Sequence, residues 1–200
     1  LKLLHFQMLG RDVREIVFTS FGPFGLVLDN PSRPVAEAAT ATVIEAGHPA
    51  RHLHLEVTFE QARAAGDALR AAGAWRIHVG VAETRPLVTV EQRATNRLAG
   101  RPDVAGCDDP EVLPGAEPVR ECRRAPELHA ALGAAGVDVL LSADAGGYVC
   151  NAILFASLGG CAGGDAWFVH VPLLDAAEAS RVGVALGRAT VSMLAVEPAG

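Results

Sequence analysis

Apolar residues along this chain gather in short dense runs, separated by stretches with helical spacing. Ile16-Val17-Phe18-Thr19 is the first run and reads as a buried strand. It ends at Phe21-Gly22-Pro23-Phe24-Gly25, whose glycines and proline cannot continue a strand. An alanine-rich helix is predicted over residues 34–46, opened by Asn30-Pro31-Ser32 and closed by Gly47-His48-Pro49. Residues 53–57 alternate as a strand, with His52 and His54 on one face and Leu53, Leu55 and Val57 on the other. A second alanine-rich helix follows over residues 59–72, with Gly73 as its C-terminal cap. Residues 77–82 and 88–90 read as strands, residues 102–118 as a long loop, and residues 120–135 as a helix ended by Gly136. The run that begins at Val137 reads as a fully buried strand and breaks at Ala145-Gly146-Gly147 before helical spacing resumes at Asn151. A last buried strand at Ala166-Trp167-Phe168-Val169-His170-Val171 stops at Pro172, and an amphipathic helix over residues 176–194 precedes a short tail.

Strands alternating with helices predict a layered α/β fold, with helices on both faces of a mostly parallel sheet. In such sheets ligands bind beyond the carboxyl ends of the strands. The loops after Phe18 and Val81 and the turn before Cys150 should therefore converge. Two hundred residues, half of them hydrophobic, suit one sizeable core and a single domain. The first seven residues precede Met8 and stand outside the pattern, as a non-native extension or an upstream start.

Charge and cysteine usage narrow the function. A formal net charge of -6 with no basic run gives no field for nucleic acid. No apolar stretch has the length of a membrane span, and Leu1 to Leu4 lacks a secretory cleavage pattern, so the expected location is the cytoplasm. Cys107, Cys122, Cys150 and Cys161 show no Cys-x-x-Cys spacing, and His52 and His54 lack a third ligand nearby. Free thiols and no metal are expected, with the two histidines as polar edge residues and Cys161, in a glycine-rich loop, incidental. No phosphate-cradling glycine motif follows any strand, and no cofactor is implied.

Cys150 is the cysteine whose setting predicts chemistry. It falls at a helix start, where unpaired amides and the positive dipole end lower a thiol's pKa and can hold a developing anion. Two glycines before it let backbone approach a ligand, and Tyr148 can wall a pocket. A small buried apolar cysteine is the plain alternative. Taken alone, Phe21 and Phe24 read as core rings, His170 as a hydrogen-bonded core histidine, and Glu91 as a solvated acid among Arg85, Arg93, Arg97 and Arg101.

A resemblance bears on these alternatives. Residues 141–154, a hydrophobic residue followed by Ser-x-Asp-Ala-Gly-x-Tyr-Val-Cys-Asn and then Ile153 and Leu154, resemble the cysteine signature of the pyroglutamyl peptidase I family of cysteine peptidases. Gly80, Val88-Thr89-x-Glu91, Ala94 and Asn96 are similar to that family's glutamate signature, and Phe21, Pro23, Phe24, Gly25 and Asn30-Pro31-Ser32 to its ring-binding loop. The resemblance runs from Ile16 to the final helix. It implies a three-layer α/β/α sandwich of the phosphorylase/hydrolase-like type, with a mixed, mostly parallel central sheet. It also implies Cys150 as nucleophile, His170 as base and Glu91 as the acid behind it, with no cofactor. Arg101 would support the oxyanion, with Val149 and the other amides of the Cys150 helix start. Phe21, Phe24, Asn30 and Tyr148 would enclose a pyroglutamyl ring, with backbone hydrogen bonds near Val81. The substrate would be a small peptide with N-terminal pyroglutamate, and the assembly a homo-oligomer, dimer or tetramer. Ser20, Leu26, Glu83, Gln92 and Arg93 depart from the family pattern. They keep open a same-fold amidohydrolase acting on another small lactam or amide, and a non-catalytic binding member.

Overall fold

The computed structural model describes residues 14–159 and 165–196. Residues 1–7, Cys161 and the tail after Val196 lie outside the described residues. Eight strands and five helices follow in the order β1 (Ile16–Phe21), α1 (Ser32–Glu45), β2 (Ala50–Leu55), α2 (Phe59–Ala71), β3 (Trp75–Val81), β4 (Val88–Glu91), β5 (Arg93–Thr95), β6 (Val119–Glu121), α3 (Ala125–Ala134), β7 (Val139–Ser142), α4 (Val149–Ser157), β8 (Ala166–Val171) and α5 (Ala176–Val196).

Six strands form one sheet in the order β2-β1-β3-β8-β4-β7. Every pairing is parallel except β4 against β8, so the sheet is mixed as expected. Helices α1, α3 and α5 pack together on one face, and α2 and α4 on the other. β1, β3 and β8 are buried at every position, which is why their sequences are near-continuous apolar runs. The alanine-rich helices also make sense in this packing. A Cβ at Gly183 of α5 would lie 2.5 Å from the Val35 carbonyl of α1, and one at Gly66 of α2 would lie 2.8 Å from the Ala156 side chain of α4. Backbones this close admit only small residues.

Three expectations change. β7 is not fully buried: it is an edge strand, and Leu140 and Leu141 are 51% and 37% exposed. An apolar run is the same in sequence whether one neighbour or two will flank it. The second strand lies three residues earlier than its alternation indicates, at Ala50–Leu55, because it pairs with the whole of β1 from Ile16 to Phe21. The helix expected from residue 120 begins at Ala125; before it, β6 pairs with β5 as a separate two-stranded ribbon. Three-residue strands are too short to show a period.

The long loop after residue 101 is tied down by two polar side chains. Asp103 accepts from the amides of Phe59, Ala105 and Cys107, capping α2 and closing its own turn. Asn96 donates to the Leu113 carbonyl and accepts from the Leu113 amide. Both side chains are buried. Among the described residues, no helix is long and apolar enough to cross a membrane.

Candidate active site

The register of three neighbouring strands brings the chemistry together. In β3 and β8, Gly80 lies opposite His170, and in the antiparallel pair of β8 and β4, Thr89 lies opposite His170. Glu91, two residues beyond Thr89, is therefore a diagonal neighbour of His170 on the same sheet face. His170 Nδ1 and Glu91 Oε1 are 2.8 Å apart, and both residues are buried. The sulfur of Cys150 sits above Gly80: a Cβ there would lie 2.9 Å from Sγ and 2.7 Å from the Phe168 ring. Absence of a side chain at position 80 leaves room for the thiol, which lines the same cavity as the imidazole.

Cys150 is placed by the turn before it. Gly146 has φ +78°, a conformation that side chains rarely adopt. Gly147 packs so closely on Ala99 that a Cβ would lie 2.6 Å from the Ala99 side chain. Tyr148 is the extended N-cap of α4 and contributes no side-chain bond to its first amides, which puts Val149 and Cys150 in the first turn. Those amides lack intrahelical partners and can receive a developing negative charge.

A cavity of about 370 Å³ opens at this point, lined by both Cys150 and His170. Its other walls bring in Phe21 from the end of β1, Phe24 and Asn30 from the loop after it, Val81 from the end of β3, and Arg101, Tyr148 and Val149. The three loops converge as the sheet topology requires. Of the ten residues singled out in sequence, nine line the cavity; Glu91 stands behind His170 with no exposed surface. Asn30 has both ends of its amide engaged, donating to the Gly22 carbonyl and accepting from the Ser32 amide, so it holds the loop that carries the two phenylalanines. Arg101 lies over the Tyr148 ring at 4.6 Å, and the Tyr148 hydroxyl donates to the Pro102 carbonyl at 3.2 Å.

Burial dominates the electrostatics. It pushes the Cys150 thiol up to about 12, with the nearby Glu91 charge adding to the rise. The depressed thiol pKa expected at a helix start is therefore overturned, because desolvation outweighs the first-turn amides. Burial likewise lowers His170, although its bond to Glu91 pulls the other way. Glu91 is raised by burial, but the hydrogen bond and charge of His170, the nearby Ser142 hydroxyl and the charge of Arg85 outweigh this and leave its pKa below the usual value. The resting state is then a neutral thiol and a neutral imidazole in front of an ionised carboxylate. Such a set can transfer the thiol proton to the imidazole as the sulfur attacks a carbonyl.

Sequence reasoning did not assign a site role to Arg85. Its guanidinium bonds Glu91 Oε1, Thr89 Oγ1 and the Asp144 carbonyl, and it lines the cavity. Its place six residues before the acid was visible, but four arginines surround Glu91 in sequence and only the fold selects one. Glu83 also lines the cavity. The histidine pair behaves as expected: His52 and His54 sit on the edge strand, each 2.8 Å from the Ser20 hydroxyl. No cluster of three potential metal ligands occurs among the described residues.

The family model for pyroglutamyl peptidases matches residues 14–194. The chain belongs to the pyroglutamyl peptidase family. A pyrrolidone-carboxylate peptidase of Mycobacterium marinum is 31% identical over 183 residues, covering 80% of this chain and 78% of the relative. One from Chromobacterium violaceum is 32% identical, covering 81% and 79%. In structure, the pyrrolidone carboxyl peptidase of Thermus thermophilus matches with a TM-score of 0.68 at 28% identity, over 86% of this chain and 99% of that one. The enzyme of Pyrococcus furiosus matches with a TM-score of 0.74 at 20% identity, over 90% and 98%, which speaks for the shared fold. The stretches around Cys150 and Glu91 thus meet at His170, which lines the cavity with Cys150 and is bonded by Glu91 from behind.

Proposed function

We propose that this chain is a cysteine peptidase that removes an N-terminal pyroglutamyl residue from peptides, using Cys150, His170 and Glu91. The observation that carries the reading is the His170–Glu91 bond beside the cavity that Cys150 also lines, in a chain of this family. With Nδ1 held by Glu91, Nε2 of His170 accepts the thiol proton while Sγ bonds the carbonyl carbon that follows the lactam ring. The tetrahedral oxyanion is met by the first-turn amides of α4, with Arg101 as a further positive charge on the same cavity. Collapse expels the amine of the next residue, which takes the proton from His170, and leaves a thioester. Water, giving its proton back to the imidazole, then releases pyroglutamate and the free thiol.

Specificity follows from what the cavity offers. Phe21, Phe24 and Tyr148 enclose a flat uncharged ring, and backbone at the Val81 end of β3 supplies hydrogen bonds to the lactam. Asn30 acts by fixing the phenylalanine loop. A chromogenic pyroglutamyl amide is the direct test: the wild type hydrolyses it and Cys150→Ala does not. Full activity in Cys150→Ala would remove Cys150 from its assigned role.

One observation favours a second reading, an amidohydrolase for a different small lactam. Glu83 adds an acidic residue to the cavity lining, a partner for a charged donor that a pyroglutamyl ring lacks. A panel of amides at equal enzyme concentration separates the two, since the pyroglutamyl donor then loses to another substrate. We also place the enzyme in the cytoplasm as a homo-oligomer, dimer or tetramer. Cys107, Cys122 and Cys150 are free thiols, which suits a reducing compartment, and light scattering reads the assembly.

A further inference from the structure

We infer that Arg85 is a positioning residue for this site, one guanidinium that holds both the carboxylate behind the base and the turn that presents the sulfur. The inference rests on the roles proposed for Cys150, His170 and Glu91. Arg85 lies in the segment between β3 and β4, and one terminal nitrogen bonds both Glu91 Oε1 and Thr89 Oγ1. The other terminal nitrogen donates to the carbonyl of Asp144, two residues before the Gly146 turn that leads to Cys150. A single planar side chain therefore spans β4 and the β7–α4 connection, a task suited to the fixed fork of arginine.

The carboxylate needs this partner. Glu91 has no exposed surface, and its Oε2 finds no hydrogen-bond partner among the described residues. An ionised carboxylate so placed is costly unless a cation compensates it. The titratable and charged groups facing the Glu91–His170 pair are Arg85 from the β3–β4 segment, Asp144 from the turn before α4, and Cys150 from α4 as a neutral thiol. Arg85 is the cation of that set. Removing it raises the affinity of the coupled pair for protons as a unit, whichever member takes them. Turnover requires neutral His170, so the acidic limb of kcat/KM moves to higher pH. Loss of the Asp144 bond loosens the nucleophile turn and lowers kcat with little effect on ring binding.

The test compares Arg85→Gln and Arg85→Lys with the wild type across pH, using a pyroglutamyl amide and a melting curve for each protein. Arg85→Gln is expected to shift the acidic limb upward by about one pH unit. Its kcat should fall roughly 10- to 100-fold, with KM nearly unchanged. Arg85→Lys restores the limb, since it keeps the charge, but recovers kcat only in part because it loses the fork. A folded Arg85→Gln with an unmoved limb overturns the inference, as does an equal shift in both variants. If Arg85→Gln does not fold, Arg85→Lys decides alone: a displaced limb in that variant counts against the proposal. The pH profile of Cys150 alkylation by iodoacetamide, resolved from the other cysteines by peptide mapping, needs no substrate. A wild type that leaves pyroglutamyl amides intact would refute the proposed function, while an unshifted alkylation profile in Arg85→Gln would refute the role of Arg85.

Discussion

Gly80→Ala is the sharpest probe of how the fold makes room for the nucleophile. The added methyl would lie 2.9 Å from Cys150 Sγ and 2.7 Å from Phe168 Cζ, where ordinary contacts begin near ~3.5 Å. Both contacts must be relieved, so the sulfur retreats by about 0.6 Å and the Phe168 ring by about 0.8 Å. The ring has little freedom to move: it is fully buried and packed at a tilt against His170 with centroids 4.5 Å apart. Moving it moves the base, and moving the sulfur moves the nucleophile. Overpacking of this kind costs about 1–3 kcal/mol in stability. For a chain of this length that is a fall in Tm of roughly 2–12 °C. Misplacing a reacting group by an ångström or less costs up to about 10²-fold in rate, so kcat should fall far more than the melting temperature alone would suggest. Steady-state kinetics on a pyroglutamyl amide, calorimetry and timed alkylation of Cys150 measure the three quantities. Wild-type kcat in a variant with unchanged Tm would show that the sulfur does not rest over Gly80, and the argument from strand register would fail with it.

Other expectations follow from the same geometry. Because burial holds the thiol up to about 12 and His170 below its ordinary value, the resting enzyme should carry a neutral pair. Thiolate absorbance should then stay absent from acid to neutral pH, and the acidic limb of kcat/KM should lie below about 6.5. A thiolate signal in mildly acidic buffer would contradict this. His78 is fully buried between Thr19 and Ser157, and burial pulls its pKa down to about 3. The unfolded chain protonates this histidine below about 6.5 while the folded chain does not. Its contribution to stability is intact above that value and lost on acidification toward 3, at up to about 1.4 kcal/mol per pH unit. Denaturant titrations of His78→Gln should lack that slope, and curves parallel to the wild type would refute it. Phe24→Ala opens the cavity wall proposed to hold the substrate ring and should raise KM more than it lowers kcat. The reverse split would place Phe24 at the reacting atoms instead.

Much of the fold was legible in order and type because its central strands are buried on both faces. Ile16 to Thr19, Ile77 to Val81 and Ala166 to Val171 announce themselves as near-continuous apolar runs, since parallel strands covered by helices need no polar side. Gly73 and Gly136, with φ of +68° and +86°, closed their helices as the sequence indicated. Elements of three residues, such as β5 and β6, left no trace because pairing at a distance rather than local pattern creates them. The exposure of Leu140 and Leu141 was hidden for a similar reason: strand order is decided by the whole chain.

The site divides along the same line. Local sequence determined that Cys150 would stand at a helix start behind a glycine turn, that Phe24 would sit in the turn after the first strand, and that Glu91 would stand at the end of a strand. Those are properties of neighbours along the chain. Phe21, expected in the turn, closes β1 instead. Only the tertiary structure decided that Glu91 reaches His170, that Gly80 vacates the space for the sulfur, and that Arg85 rather than Arg93 or Arg97 meets the carboxylate. It also reversed the expected thiol acidity. Each of these depends on strand register and on the removal of water, and both arise only when distant segments pack together.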